Sequence, residues 1–423
     1  MKEILIIFNE WWETNKISKE KAKKYKRKIF KTIKETFFNY NQVLILTGLR
    51  RVGKTTIIYQ LIEELLKRGI NPKNILYFSF DERIEDLVKI LEEYSKITKV
   101  EWKEKKIFVF FDEIQKLKNW SSKIKILYDN FPNLKICISG SASLMIEKDA
   151  IKDLAGRYFS EHISPLTLQE FAELYFEKRI EDFELYEIKL KRICEDYIKR
   201  PFPEIVKWED STKINQYIRE LVIEKIVKAD IPETFENVNV SLLSTLTEIF
   251  MKDIGMILDI TSLSKELGVH KLTLSKHINF LEFGNLITIV KNFRPSIRSE
   301  SRKLKKIYPS NISLSFCFYP KVVEGKIMEA LVCSTLNLNK YWRESRREID
   351  FLKINEKILP IEVKDKDSIN KKDIKILLTF MKKYKLNKGV VIHTGEEEIL
   401  KINNKKIILF PIHKLLFKFK LDI

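Results

Sequence analysis

Between residues 43 and 66 the chain reads as a buried strand, a glycine-bounded turn and a helix, and no other stretch narrows the fold so far. Val43-Leu44-Ile45-Leu46 is continuously apolar, and Ile57, Ile58, Leu61, Ile62, Leu65 and Leu66 follow at helical spacing. Between them, Gly48-Leu49-Arg50-Arg51-Val52-Gly53-Lys54-Thr55 fits the pattern G-x-x-x-x-G-K-[ST] in full. The glycines let the chain wrap so that successive N–H groups converge, and the helix beginning there adds its positive dipole end. Such a turn cradles phosphates: Lys54 reaches the β- and γ-phosphates of ATP and Thr55 takes Mg²⁺. The strand needs parallel neighbours, and short apolar runs at 75–80, 107–111 and 134–138 supply them, so residues 39–165 are expected to form an α/β domain.

The run Ile107–Phe111 ends in Asp112-Glu113, which places two carboxylates at the C-terminal end of a buried strand, where open α/β sheets carry their sites. Asp112 is expected in the Mg²⁺ shell and Glu113 on the attacking water, which implies hydrolysis. The next strand ends in Ser139-Gly140-Ser141, and Gly156-Arg157 follows; Arg157 is either a γ-phosphate sensor or a surface ion pair. The expected nucleotide set is therefore Gly48, Arg51, Gly53, Lys54, Thr55, Thr56, Asp112 and Ser141, with Glu113 and Arg157 as catalytic candidates.

Residues 1–38 read as a basic helical lead-in, and 166–240 as a helical lid without strand-like runs. Over 241–310, a short helix from about Thr261, a turn at Gly268 and a helix from about Lys271 to Phe283 have helix-turn-helix spacing. Two flanking strands, 286–290 and 305–308, form a wing around Lys291, Arg294, Arg298, Arg302 and Lys303. Lys271, Thr273, Ser275 and Lys276 would face a major groove, and the wing would neutralise DNA phosphates; protein docking is the alternative use of such a module.

In residues 311–423, Glu348-Ile349-Asp350-Phe351-Leu352 and Ile358-Leu359-Pro360-Ile361-Glu362-Val363-Lys364 read as a strand hairpin. Glu362 and Lys364 share a face, and Asp350 on the neighbouring strand is placed to share a metal ion with Glu362. Other [D/E]-x-K tripeptides occur at Glu101, Glu187 and Asp373, but only the Glu362 copy ends an apolar run with an acid-bearing strand before it. The arrangement resembles the PD-(D/E)xK core of restriction-endonuclease-like nucleases, with Glu329 as an upstream acid.

Taken together, Thr47–Thr56, Phe111-Asp112-Glu113-Ile114-Gln115, Ser139–Ser143, Leu154-Ala155-Gly156-Arg157 and Tyr341-Trp342-Arg343 resemble the prokaryotic, archaeal-type AAA-family P-loop ATPases with a winged helix and a C-terminal nuclease-like domain. The resemblance implies a P-loop domain of the additional-strand type, Ser141 near the sensor position, and Arg157 acting in trans within a homo-oligomer. It implies ATP and Mg²⁺ as cofactors. The function expected is ATP hydrolysis coupled to DNA binding and metal-dependent cleavage; the alternative is a regulatory ATP switch with an inactive nuclease-like domain.

Composition agrees with an anionic partner. With 78 Lys and Arg against 59 Asp and Glu, the formal charge of +19 attracts polyanions, nucleic acid first, although a solvated lysine-rich surface has the same composition. Cys137, Cys194, Cys317 and Cys333 form no C-x-x-C pair, which argues against a disulfide framework or thiolate metal site. No apolar stretch approaches the roughly 18 residues of a membrane span, so no membrane partner and a cytoplasmic location are expected.

Overall fold

The computed structural model describes every residue except 83–85, 142–151, 295–303, 320–323 and 419–423. The chain divides into two compact units, Met1–Ser164 with Asp230–Glu236, and Pro165–Ala229 with Asn237–Ile423.

In the first unit, β1 (Val43–Thr47), β2 (Ile75–Ser79), β3 (Ile107–Asp112), β4 (Leu134–Ser139) and β5 (Tyr158–His162) form one parallel sheet in the order β2-β3-β4-β1-β5. β4 lies between β1 and β3, the additional-strand arrangement. The first four strands are buried along their whole length, as continuous apolar runs require. β5, absent from the sequence reading, is a half-exposed edge strand of composition YFSEH, too polar to register as an apolar run. Before this sheet come α1 (Lys2–Phe8), α2 (Trp11–Thr14) and α3 (Phe30–Asn39); the crossovers include α4 (Lys54–Lys67), α5 (Leu87–Thr98) and α6 (Trp120–Asn130).

The lead-in covers the open edge of this sheet. The side chain of Asn9 donates to the carbonyl of Tyr77 at 2.9 Å and accepts from its N–H at 2.7 Å, so one amide does for β2 what a neighbouring strand would. The indoles of Trp11 and Trp12 both donate to the Ile75 carbonyl, at 3.1 and 2.8 Å. Further on, Arg27 donates to the carbonyls of Val52 and Ser164 at 3.0 and 3.1 Å, tying the lead-in to the glycine-bounded turn.

The second unit begins with α7 (Leu168–Tyr175), whose start is a capping box of Thr167 and Glu170, then α8 (Phe183–Lys199) and α9 (Ser211–Gln216). After the wider helical turns Tyr217–Ile223 and Ile226–Asp230, the chain enters the first unit as α10 (Ile231–Thr234). It returns as α11 (Val240–Lys252), β6 (Met256–Leu258), α12 (Ile260–Glu266), α13 (Lys271–Phe283), β7 (Ile287–Asn292) and β8 (Lys305–Pro309). α14 (Ser313–Phe316), α15 (Glu324–Leu336), β9 (Lys340–Glu344), β10 (Arg347–Ile349), β11 (Phe351–Ile354) and β12 (Ile358–Val363) come next. α16 (Lys375–Lys383), β13 (Lys388–His393), β14 (Glu398–Ile402), β15 (Lys405–Pro411) and α17 (Ile412–Lys418) complete the unit.

Its strands form two sheets, β10-β9-β7-β8-β6 and β11-β12-β13-β15-β14. In the second sheet Val390, Ile392, Ile408 and Phe410 join one core while Val391, Ile407 and Leu409 join another, so the alternation of the strands buries both faces. The segment read as one strand from Glu348 to Leu352 is instead broken at Asp350: β10 ends before it in one sheet and β11 starts after it in the other.

Candidate functional site

The turn between β1 and α4 is shaped by two glycines whose backbone other residues do not tolerate. Gly48 has φ +149°, and a Cβ there would stand 2.2 Å from the Ile163 carbonyl oxygen; Gly53, at φ +100°, caps α4. Lys54 is buried and its amine donates to the carbonyls of Gly48 and Leu49 at 3.1 and 3.0 Å, lying along the inside of the turn. Arg51, at φ +67°, is exposed at the rim, and Thr56 is half-buried on the first turn of α4.

Asp112 is brought to Thr55. The Thr55 hydroxyl donates to Oδ2 at 2.6 Å, the Tyr77 hydroxyl donates to the same oxygen at 3.0 Å, and the Ser139 hydroxyl donates to Oδ1. Burial and the adjacent Glu113 charge push the Asp112 carboxyl up, while the Ser139 and Thr55 hydroxyls and Lys54 oppose the shift. A hydroxyl and a carboxylate meeting beside a lysine form a hard-oxygen set that suits Mg²⁺. Glu113 adopts a left-handed conformation at φ +53° and accepts from the Gln115 amide at 2.6 Å; the Gln115 oxygen in turn accepts from the N–H of Ser141 at 3.3 Å. Thr55, Asp112, Glu113 and Ser141 are thus linked at one end of the sheet. Tyr77 was missed by sequence reasoning, since an aromatic strand residue carries no motif, and Gln115, although within the quoted phrase Phe111–Gln115, had no role assigned to it.

Arg157 lies elsewhere. Its backbone carbonyl accepts from the N–H of Val43, the first residue of β1, and its guanidinium pairs with Asp129, with Nε 2.7 Å from Oδ1. Since β1 and β5 are parallel, this is the sheet end opposite the phosphate turn, five residues away, or roughly 16 Å. Within one chain Arg157 is a surface ion pair and does not reach the phosphates.

The second candidate site is in the second unit. β11 and β12 pair antiparallel with Phe351 opposite Ile361, a register that continues to set Asp350 opposite Glu362. Lys364 donates to Glu362 Oε2 at 2.7 Å, and Asp350 Oδ2 accepts from the N–H of Val363 at 2.8 Å. Burial pushes both carboxyls up, the Glu329 charge adding to the effect at Asp350 and the Asp350 charge at Glu362, while Lys364 draws both down. Burial opposes the charge on Lys364, yet Glu362 and Asp350 hold its ammonium above the ordinary lysine range. Glu362 Oε1 is buried without a hydrogen-bond donor, which leaves that oxygen free to accept a proton or ligate a cation.

Glu329 is not a full member of this group. Its Oε2 accepts from the Tyr308 hydroxyl at 2.7 Å and its Oε1 pairs with Lys326 at 3.0 Å, although its charge is felt at Asp350. Among the described residues no three His, Cys, Asp or Glu side chains converge as a metal set.

α12 and α13 run as the sequence predicts, with Asp259 capping the first and Gly268, at φ +64°, making the turn. Lys271, Thr273 and Lys276 are exposed on α13, whereas Ser275 is half-buried. Arg294 does not extend from the wing: its guanidinium donates to the Arg343 carbonyl at 2.6 Å. Arg298, Arg302 and Lys303 fall outside the described residues.

Comparison with known proteins gives three family matches: an AAA domain over residues 40–172, and two domains of unknown function, DUF8612 over 195–319 and DUF4143 over 321–415. Two uncharacterized proteins of Methanocaldococcus jannaschii are similar, one 27% identical with 92% of this chain and 89% of that protein covered, the other 29% identical with 74% and 72% covered. An uncharacterized protein of Haemophilus influenzae is 26% identical, with 57% of this chain and 60% of that protein covered. Among solved structures, the Pif1 helicase of Candida albicans (14% identical, TM-score 0.26, 36% of this chain and 44% of that one) and PCH-2 of C. elegans (14%, 0.25, 67% of each) overlap too loosely to support inference.

Proposed function

Starting from the AAA-type P-loop ATPase domain of residues 40–172, we propose that this protein hydrolyses Mg-ATP, binds DNA, and cleaves it at a metal-dependent site of the PD-(D/E)xK kind. The observation that carries the nuclease reading is the pairing of Asp350 with Glu362 across β11 and β12, with Lys364 on Glu362 and one Glu362 oxygen lacking a donor.

In the ATPase site, Lys54 would neutralise phosphate charge, Thr55 and Asp112 would hold the ion, and Glu113, oriented by Gln115, would accept a proton from the attacking water. In the second site, Asp350 and Glu362 would hold a divalent ion, which supplies a lowered pKa for water and neutralisation of the scissile phosphate. Lys364 adds a fixed ammonium group beside them. The fold of α12, α13, β7 and β8 supports the winged helix-turn-helix reading, with Lys271, Thr273 and Lys276 facing outward as a groove-binding helix requires.

The test is cleavage of supercoiled and linear DNA with Mg²⁺ or Mn²⁺, with and without ATP. Asp350→Asn should remove nicking and leave ATP turnover unchanged, while Lys54→Ala should abolish ATP binding. Binding to duplex should weaken linearly in log–log salt plots, by about 0.9 per contacted phosphate. DNA binding without nicking under any metal would leave a regulatory ATP switch with an inert nuclease-like domain.

A further inference from the structure

Arg157 cannot act on nucleotide bound to its own chain, yet another arginine stands inside the phosphate turn itself. Arg50 is the second residue after Gly48, and its guanidinium is gripped edge-on by Asp230: Nε lies 2.7 Å from Oδ2, and Nη2 pairs with Oδ1. The Asp230 side chain is only 4% exposed, so the carboxylate is buried with this cation as its counter-charge. Asp230 begins the short segment Asp230–Glu236 that belongs to the first unit, and the segment's helix is closed by the Thr234 hydroxyl on the Asp230 carbonyl at 2.7 Å. The charges of Glu113 and Asp81, which follow the carboxyl ends of β3 and β2, also act on Arg50.

We propose that Arg50 is the arginine that contacts the γ-phosphate within one chain and that Asp230 is the residue positioning it. Two features carry this. Arg50 sits in the turn whose backbone wraps the phosphates, and a bidentate carboxylate fixes its orientation before any ligand arrives. A guanidinium carries five N–H donors, and the two bonds to Asp230 use two of them. Removing Asp230 as acceptor releases the side chain to its many rotamers, so the cation is no longer held where charge develops. The inference rests on ATP hydrolysis by the first unit.

The experiment uses the full chain and reads ATP affinity, kcat, and trapping of ADP with aluminium fluoride, a mimic of the transferring phosphoryl group. Arg50→Ala should lower kcat on the order of 100-fold or more and lose trapping, with ATP affinity within about 3-fold of the parent. Added guanidine should restore part of the rate. Asp230→Asn should lower kcat about tenfold at unchanged affinity, and Asp230→Glu should recover most of it. Parental kcat in Arg50→Ala would overturn the assignment. Equal losses of affinity, kcat and melting temperature in Arg50→Ala and Asp230→Asn, without guanidine rescue, would also overturn it, leaving a purely structural ion pair. A parent protein that binds ATP without turning it over refutes the ATPase reading itself.

Discussion

Replacing Asn9 by Ala tests whether a single amide closes the edge of the ATPase sheet. Asn9 is 1% exposed, and its side chain satisfies both the N–H and the C=O of Tyr77 on the edge strand β2 while also bonding the Leu5 carbonyl at 2.8 Å. Truncation strands two buried backbone groups, each costing about 1–3 kcal/mol, and the loss expected for the unit is about 3–5 kcal/mol. Asn9→Asp separates hydrogen bonding from packing: it keeps the shape, but turns the oxygen that replaces Nδ2 against the Tyr77 carbonyl, and should be at least as damaging. The assay is amide hydrogen exchange over residues 73–80, read alongside urea melts. At 3 kcal/mol the Tyr77 amide should lose protection by a factor of about 150 if it exchanges through unfolding of this unit. Because Tyr77 also donates to Asp112, the Mg²⁺ concentration needed for half-maximal turnover should rise in the same variants. A loss below about 1 kcal/mol for Asn9→Ala, or a neutral Asn9→Asp, would refute the edge-closure reasoning.

Gly48→Ala should abolish nucleotide binding by fluorescence titration, since its Cβ would meet the Ile163 carbonyl at 2.2 Å and neither partner is a flexible side chain. Tyr77→Phe, which deletes one donor to Asp112, should weaken Mg²⁺ activation about tenfold without altering the fold by circular dichroism. Burial draws Lys135 down to about 8, so between there and the unfolded value of about 10.4 the unfolded state binds more protons and stability rises with pH; Lys135→Met should lack that rise in melts at pH 8–10. Glu362→Gln relieves a buried like-charge pair, so melting temperature without divalent ions should increase while stabilisation by Mn²⁺ disappears.

The parts of this molecule legible in sequence are those whose signal is local. The glycine-bounded turn, the four apolar strands, and α13 from Lys271 to Phe283 all follow from periodicity and caps within a few residues. The alignment of Asp350 with Glu362 was readable because a hairpin relates positions only twelve apart. What escaped was set by distance or by polarity. Asn9 meets Tyr77 across 68 positions and Arg50 meets Asp230 across 180, and no pattern in either segment announces its partner. The wider helical turn at Tyr217–Ile223 is an i→i+5 variation that side-chain spacing does not reveal. Arg157 was placed in the nucleotide site by its neighbours Gly156 and Ala155, whereas the parallel pairing of β5 carries it to the far end of β1.

The break at Asp350 has an evolutionary consequence. Two sheets are joined there through one residue, and that residue must face Glu362, so the junction behaves as a counted link whose parity is fixed. An added or lost residue between Ile349 and Phe351 would leave both strands paired with their own neighbours and turn the carboxylate to the wrong side of the pleat. The loop after Ile354 can change in length only where the pairing of Phe351 with Ile361 is kept, whereas an insertion or deletion at the junction itself turns Asp350 away from Glu362 in a single event while preserving both sheets.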